Sequence, residues 1–173
     1  PGLWEKAWAY SGTGAEQRAQ FVPEGLMLEP EVTPGTEFLY SNLGYSVAGT
    51  MLEQKMDAEW EDLMREWIFK PLRMKSAGFG PPASPGEVDQ PWGHIWRDGR
   101  LTIADRADNP PAIGPGGIVH CSVLDLARYA AFHLAIASGK LPELEPWKEL
   151  LYTPPDGQNY AFRWVVLDGK CAG

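Results

Sequence analysis

Positive charge is scarce in this 173-residue sequence, which has 15 lysine and arginine residues against 23 aspartate and glutamate residues. The formal net charge is −8 at pH 7, and the isoelectric point is about 4.9. Nucleic acids and anionic membrane surfaces are bound through basic faces that displace counterions. The charge balance therefore argues against both as partners.

Cysteine and histidine are also rare, with two cysteines and three histidines. Cys121 and Cys171 form neither a disulfide framework nor a metal-ligand spacing, and their spacing leaves open whether they meet. His120 and His133 have no companion residue at ligand spacing. We expect neither a metal site nor a cofactor.

Long apolar runs are missing as well. No run approaches the roughly 20 residues that cross a bilayer, and the N-terminus lacks the charged and apolar regions of a signal peptide. The sequence starts at Pro1 rather than at methionine. We interpret this as a mature, cleaved or truncated start, which leaves export open.

What is present is an ordinary globular composition, with 44% hydrophobic and 12% aromatic residues, enough for one domain or a large part of one. Apolar spacing predicts helices over 42–56, over 58–69 with Asp57 as N-cap, from Ser122 to about Ala137, and over 145–151. A β-hairpin is predicted over 93–103 and a single strand over 160–167, turning at Asp168-Gly169. Residues 169–173 are interpreted as a turn.

The most informative stretch is 34–45, Pro-Gly-Thr-Glu-Phe-Leu-Tyr-Ser-Asn-Leu-Gly-Tyr. It puts Tyr40-Ser41-Asn42 at the start of a helix, behind a Pro-Gly turn. Alone, the triplet would be interpreted as an amphipathic tyrosine and an asparagine N-cap. In this context the stretch resembles the serine β-lactamase-related family, which includes class C β-lactamases, DD-carboxypeptidases and related esterases.

Two further segments carry the same resemblance. Phe69-Lys-Pro-Leu-Arg-Met74 is similar to the family's F-x-P-L-G-M, with Arg73 where glycine is usual. Residues 108–122, together with 125–129, resemble the segment P-A-G-G-x-x-S-S-x-x-D-L-A-R-F, with Gly116 where alanine is common and Cys121 where serine is. We interpret Gly116-Gly117 as a turn with positive φ rather than as an anion site.

The resemblance implies roles for the triplet. Tyr40 would sit against a nucleophilic serine and act as a base together with the lysine of a Ser-x-x-Lys motif, and Asn42 would bond that lysine and the substrate amide. An ordinary tyrosine phenol has a pKa of about 10, so a basic role at neutral pH requires such a cation nearby.

The other two family signatures do not occur, because the 173 residues contain no Ser-x-x-Lys and no Lys-Thr-Gly or His-x-Gly. We therefore expect 1–173 to be a partial domain, with the first motif upstream and the third-motif strand downstream. Without the nucleophile we expect no activity from the chain alone. The remainder of the domain, or a second copy of the chain, would be its partner.

Substrate contacts are expected from the segment 92–96. Trp92 and Trp96 would contact an apolar acyl group or a peptide stem, and His94 lies between them. For these residues, core packing and a structural histidine are the competing interpretations.

The implied fold is α+β: the mostly helical portion of a β-lactamase/transpeptidase-like fold, with one or a few strands joining an antiparallel sheet. The implied parent is a serine hydrolase acting on a β-lactam, a D-alanyl peptide or a small ester. The alternative is a non-catalytic β-lactamase-like binding or scaffold module. From the resemblance alone, a periplasmic or secreted location is favoured over a cytoplasmic one.

Overall fold

A computed structural model of the chain describes residues 2–84, 86–104, 108–155, 157–161, 164–167 and 170–172. The chain divides into two compact units, residues 1–125 and 126–173. Helices dominate both. Within the described residues, none of the helices is both long and apolar enough for a membrane span.

The α-helices are α1 (Leu3–Ala7), α2 (Gly14–Leu26), α3 (Asn42–Met56), α4 (Trp60–Met64), α5 (Gly114–Gly117), α6 (Val123–Ala137) and α7 (Glu145–Tyr152). Short 3-10 turns cover Pro111–Ile113 and Pro142–Leu144. A capping box starts α2, because Thr13 Oγ1 accepts from the Glu16 amide while the Glu16 carboxylate accepts from the Thr13 amide. The predicted bounds of α3 are confirmed, and those of α6 and α7 differ from the prediction by one residue.

The helix predicted over 58–69 is present, but its N-cap, its first residue and its helix type differ from the prediction. Asp57 is not its N-cap; with φ of 51° it is the left-handed residue that ends α3. The helix starts at Trp60, and from Arg65 to Phe69 it widens into a π-helical turn. The Lys70 amide donates to the Arg65 carbonyl five residues back, at 2.9 Å.

The described strands form short antiparallel sheets: β1 (Gly78–Phe79) with β4 (Val119–His120), β2 (His94–Arg97) with β3 (Arg100–Ile103), and β5 (Tyr160–Ala161), β6 (Trp164–Leu167) and β7 (Lys170–Ala172) in that order. The predicted hairpin over 93–103 is confirmed. Asp98 and Gly99 connect its strands with φ of 51° and 72°, which is the two-residue turn that matches strand twist.

The single strand predicted over 160–167 is wrong. Tyr160 pairs with Val165 and Ala161 with Trp164, so this run makes two neighbouring antiparallel strands. Lys170–Ala172, interpreted from the sequence as part of a turn, forms a third strand in register with Val165–Leu167. The turn predicted at Asp168-Gly169 lies outside the described residues.

The core of the first unit contains Ala7, Phe21, Val22, Ala112 and Ile113. Beside it lies Arg18, a fully buried arginine on α2. Its Nη2 contacts Glu53 on α3 at 2.5 Å and Glu61 on α4 at 2.6 Å, and its Nη1 donates to the Pro111 carbonyl at 3.1 Å. Burial opposes the charged guanidinium, but the hydrogen bonds to the two carboxylates outweigh it and raise the pKa of Arg18.

The start of α6 is fixed by hydroxyl groups. Ser122 Oγ caps the helix by accepting from the Asp125 amide at 3.3 Å. The buried Asp125 carboxylate accepts from the Ser76 amide at 2.7 Å and from the Ser76 hydroxyl at 2.6 Å. The Ser-x-x-Asp part of the third resemblance segment therefore holds the loop that follows Met74.

In the second unit, His133 of α6 lies among aromatic rings. Its ring centre is 4.5 Å from that of Tyr129 and 5.0 Å from that of Trp164. The Tyr152 hydroxyl lies 2.7 Å from His133 Nδ1 and donates to the His133 carbonyl at 3.2 Å. Burial lowers the pKa of His133.

We predict that Arg18→Met destabilises the first unit by about 3–5 kcal/mol, because two carboxylates would remain buried without a cation. Urea unfolding followed by circular dichroism measures the loss. Lys6→Met is the control, because it breaks an ion pair to Glu24 whose side chains are both exposed and should have little effect. Equal losses in the two variants would contradict the structural role of Arg18.

Two glycines of α3 should respond in opposite directions. A Cβ on Gly49 would overlap Pro115 Cγ, whereas a Cβ on Gly44 would make ordinary contacts of 3.7 Å or more with Ser41. We expect Gly49→Ala to cost about 1–3 kcal/mol by overpacking and Gly44→Ala to stabilise by about 0.5–1 kcal/mol. Thermal unfolding of both variants checks this, and the same sign for both would count against the close packing of α3 on α5.

Stability should fall as the pH drops below about 6.5, the ordinary pKa of histidine. The unfolded chain takes up a proton at His133 there, while the folded chain resists protonation until its own lower pKa. His133→Gln removes this contribution but retains a hydrogen-bond donor. Unfolding free energies at pH 7.5 and 5.5 should differ less in the variant, and NMR titration should give a His133 pKa below 6.5. An unchanged pH dependence would refute the prediction.

Candidate active site

Tyr40, Ser41 and Asn42 lie where an extended segment meets the N-terminus of α3. Ser41 is the N-cap, with extended φ and ψ, and its Oγ accepts from the Gly44 amide at 3.1 Å. Asn42 is therefore the first helical residue, and Tyr40 comes before the cap. The Tyr40 hydroxyl donates to Asn42 Oδ1 at 3.1 Å, so the cap brings the two predicted catalytic side chains together.

The Tyr40 side chain is positioned by its neighbours but remains exposed to solvent. Its side chain rests near Tyr45, with ring centres 6.1 Å apart, and the residue is 56% exposed. A group approaching the N-terminus of α3 can therefore reach the phenol oxygen.

The pair retains capacity for further hydrogen bonds. An amide oxygen has two lone pairs, and Tyr40 uses one of those on Asn42. The second can accept from an ammonium group, and Asn42 Nδ2 can donate to a carbonyl. These are the bonds that the family resemblance assigns to this asparagine.

Small residues hold Asn42 in place from the other side. Ser46, one turn along α3, is buried and donates to the Ala112 carbonyl at 3.0 Å. Gly49 lets Pro115 approach the helix closely. A Cβ on Gly116 would lie 3.2 Å from Asn42 Oδ1. The glycine-rich segment thus packs directly behind the candidate pair.

The turn interpretation of that segment applies to one of its two glycines. Gly117 has φ of 155°, a value that favours glycine, and its carbonyl accepts from Asn109 Nδ2 at 2.8 Å. Gly116 lies within α5. Ser46 and Gly49 were not predicted as part of the site; the signal for them was two small residues three positions apart on one helix face.

Trp92, His94 and Trp96 lie at the hairpin. Trp92 is half-buried and its indole donates to the Glu87 carbonyl at 3.0 Å. His94 and Trp96 lie on the same face of β2, and both are exposed. Among the residues that the structure describes, no hydrogen bond or ring contact joins these three side chains to Tyr40 or Asn42. Their predicted role in substrate binding stays a prediction.

The remaining histidines have structural surroundings. His120 Nδ1 lies 2.7 Å from the Gly80 carbonyl, and its ring covers Gly78, where a Cβ would come within 2.6 Å of Nε2. In the described ranges of the chain, the His, Cys, Asp and Glu side chains form no group of three that is placed to hold a metal ion.

The family model described as Beta-lactamase matches residues 2–172. A comparison with curated protein sequences found no match. Among solved structures, a penicillin binding protein from Bacillus halodurans is similar at 19% identity and a TM-score of 0.70, covering 99% of this chain and 54% of that one.

A D-stereospecific amidohydrolase from Streptomyces sp. is similar at 20% identity and a TM-score of 0.65, over 98% of this chain and 50% of that one. An octameric penicillin-binding protein homologue from Pyrococcus abyssi has 22% identity and a TM-score of 0.66, over 94% and 42%. The chain thus spans about half the length of these relatives.

The predicted α+β fold is confirmed by these neighbours. The family model covers nearly the whole sequence and includes all three segments that carry the resemblance. The chain belongs to the beta-lactamase family.

Proposed function

We propose that this chain is the part of a serine hydrolase that carries the proton-handling pair, Tyr40 and Asn42. The observation that supports this most is the 3.1 Å hydrogen bond from the Tyr40 phenol to Asn42 Oδ1 at the start of α3, with the phenol open to an approaching group. The nucleophilic serine and its lysine would come from the remainder of the same domain or from a second copy of the chain.

The reaction would be acyl transfer to water through an acyl-serine. As the Tyr40 phenol passes its proton to the lysine amine, its oxygen takes the serine hydroxyl proton while the serine oxygen bonds to the substrate carbonyl carbon. The tetrahedral adduct then expels its amine or alkoxide, which receives that proton. In deacylation, a water oxygen attacks the carbonyl carbon of the acyl-serine while Tyr40 takes a proton from the water. The serine oxygen then leaves and receives that proton. Asn42 Oδ1 would hold the ammonium, and Nδ2 would donate to a carbonyl of the substrate.

The substrate would be a β-lactam, a D-alanyl peptide or a small ester. Tyr40 and Asn42 do not select among these, because each presents a carbonyl to the same hydrogen-bonding frame. The names of two relatives, a penicillin binding protein and a D-stereospecific amidohydrolase, favour an amide of a D-amino acid or a β-lactam. D-Alanyl peptides of the cell wall would require a periplasmic or secreted enzyme.

The hairpin would supply apolar contacts to such a substrate. His94 pairs with Ile103 and Trp96 with Leu101 across the two strands, so these four side chains share one face. All four are exposed, Trp96 to 74%. Together with Trp92, this face would cover an acyl group or a peptide stem, for which aromatic rings provide large contact areas.

The test uses the full-length protein, treated with a reactive penicillin and followed by intact-mass spectrometry. We predict a covalent penicilloyl adduct whose formation slows about 10²–10⁴-fold in Tyr40→Phe, because the variant has no oxygen to take the serine proton. Tyr45→Phe is the matched control; it removes a hydroxyl from the neighbouring ring and should acylate at close to the unmodified rate.

Parallel assays with p-nitrophenyl acetate and D-alanine p-nitroanilide cover the ester and amide substrates. Equal rates for Tyr40→Phe and Tyr45→Phe would contradict the role of Tyr40. A full-length protein that reacts with none of the three reagents, but binds a D-alanyl peptide without change in mass, would support the alternative of a non-catalytic binding module.

A further inference from the structure

A second feature lies at the end of the helix formed by α4 and the π-helical turn. A cavity of about 380 Å³, wide open to solvent, is lined by residues of one short stretch of chain: Arg65, Glu66, Phe69, Lys70, Arg73, Met74 and Lys75. This volume is within the range of small-molecule sites. None of these residues belongs to the candidate active site.

The lining is basic although the chain is acidic. Four of its side chains are cationic and one, Glu66, is a carboxylate, whereas the whole chain has a net charge of −8. The π-helical turn ends at Phe69, and the chain then turns through hydrogen bonds from the Arg73 amide to the Lys70 carbonyl and from the Met74 amide to the Phe69 carbonyl, which brings these side chains around one opening. Like charges so close repel each other unless an anion lies among them.

Two of the four cations already have partners. Arg65 contacts Asp62 at 2.7 Å, and its guanidinium lies 4.9 Å from the ring centre of Phe79. Lys70 contacts Glu66 at 2.7 Å. Arg73 and Lys75 are exposed, and in the part of the chain that the structure describes neither side chain makes an ion pair or a hydrogen bond.

Arg73 also has an unfavourable backbone conformation. Its φ is 56°, in the left-handed region where a residue with a Cβ is strained, and its amide donates to the Lys70 carbonyl at 3.1 Å. Strained residues with functional side chains are common at ligand sites.

The floor of the cavity is apolar. Phe69 and Met74 are 6% and 7% exposed, and the Phe69 ring packs 5.4 Å from that of Phe79. A ligand therefore meets hydrocarbon below and positive charge at the rim. Inorganic anions match only the rim, and neutral apolar molecules match only the floor.

We propose that this cavity binds a small organic anion, with Arg73 and Lys75 on its carboxylate, sulfonate or phosphate head and Phe69 and Met74 beneath its apolar body. Glu66 opposes binding for two reasons. Its carboxylate repels the anionic head group of the ligand, and it forms an ion pair with Lys70 that would otherwise be available to the ligand.

The test is an NMR titration of the isotope-labelled full-length protein with naphthalene-2-sulfonate. We expect shift changes centred on residues 65–75 and a Kd on the order of 1 mM, as a ligand of this size allows. Arg73→Gln and Lys75→Gln should each weaken binding about two- to fivefold, the size of an exposed charge contact. Glu66→Gln should tighten it by a similar factor. Lys140→Gln, which changes an exposed lysine that does not line the cavity, should leave the Kd unchanged.

Two matched probes separate the parts of the site. Naphthalene-2-methanol keeps the apolar body without the charge, and inorganic sulfate keeps a charge without the body; both should bind more weakly than the sulfonate. The proposal is overturned if the neutral probe binds as tightly, if Lys75→Gln and Arg73→Gln keep the original Kd, or if the shifts map to another apolar patch such as exposed residues 26–28. The higher affinity expected for Glu66→Gln cannot come from a variant that fails to fold.

Discussion

The arrangement of the first unit depends on the buried guanidinium of Arg18. One side chain from α2 reaches Glu53 on α3, Glu61 on α4 and the Pro111 carbonyl before α5. A buried charge is tolerated only when it is paired and its hydrogen bonds are satisfied. The ion pairs therefore fix which helices meet, while the apolar contacts of Phe21, Val22 and Ile113 supply most of the favourable burial.

That constraint extends to the candidate site through α3. Glu53 holds the C-terminal half of the helix, and the close approach of Gly49 to Pro115 and the Ser46 bond to Ala112 hold its N-terminal half. Asn42, the first helical residue, is therefore fixed beside Gly116. The extended backbone of the N-cap Ser41 sets the position of Tyr40 relative to the helix. The candidate pair is thus pre-organised on a rigid helix end, and pre-organisation supplies much of the catalytic power of acyl-transfer sites.

Local signals in the sequence predicted the local structure. Apolar spacing predicted α3, and Asp-Gly between alternating residues predicted the hairpin, whereas the N-cap of α3 is Ser41 and not Asn42. The contacts of the Arg18 guanidinium could not be predicted, because its two carboxylate partners are 35 and 43 residues away and the Pro111 carbonyl is 93 residues away. The run over 160–167 misled because its aromatic and β-branched residues suit one long strand or two short ones equally. At the site, the motif predicted Tyr40 and Asn42. The packing of Ser46 and Gly49 behind them could not be predicted, because it depends on contacts with Ala112 and Pro115, which are far away in the sequence.

The central claim, that Tyr40 exchanges a proton with a catalytic serine, is tested most directly by a crystal structure of the full-length protein with a boronic acid bound as a tetrahedral adduct. We predict that the Tyr40 oxygen lies within hydrogen-bond reach of the serine oxygen that carries the boron, about 2.6–3.2 Å, with Asn42 still beside it. An adduct on a nucleophile far from Tyr40, with the phenol facing solvent, would contradict proton exchange between Tyr40 and the serine.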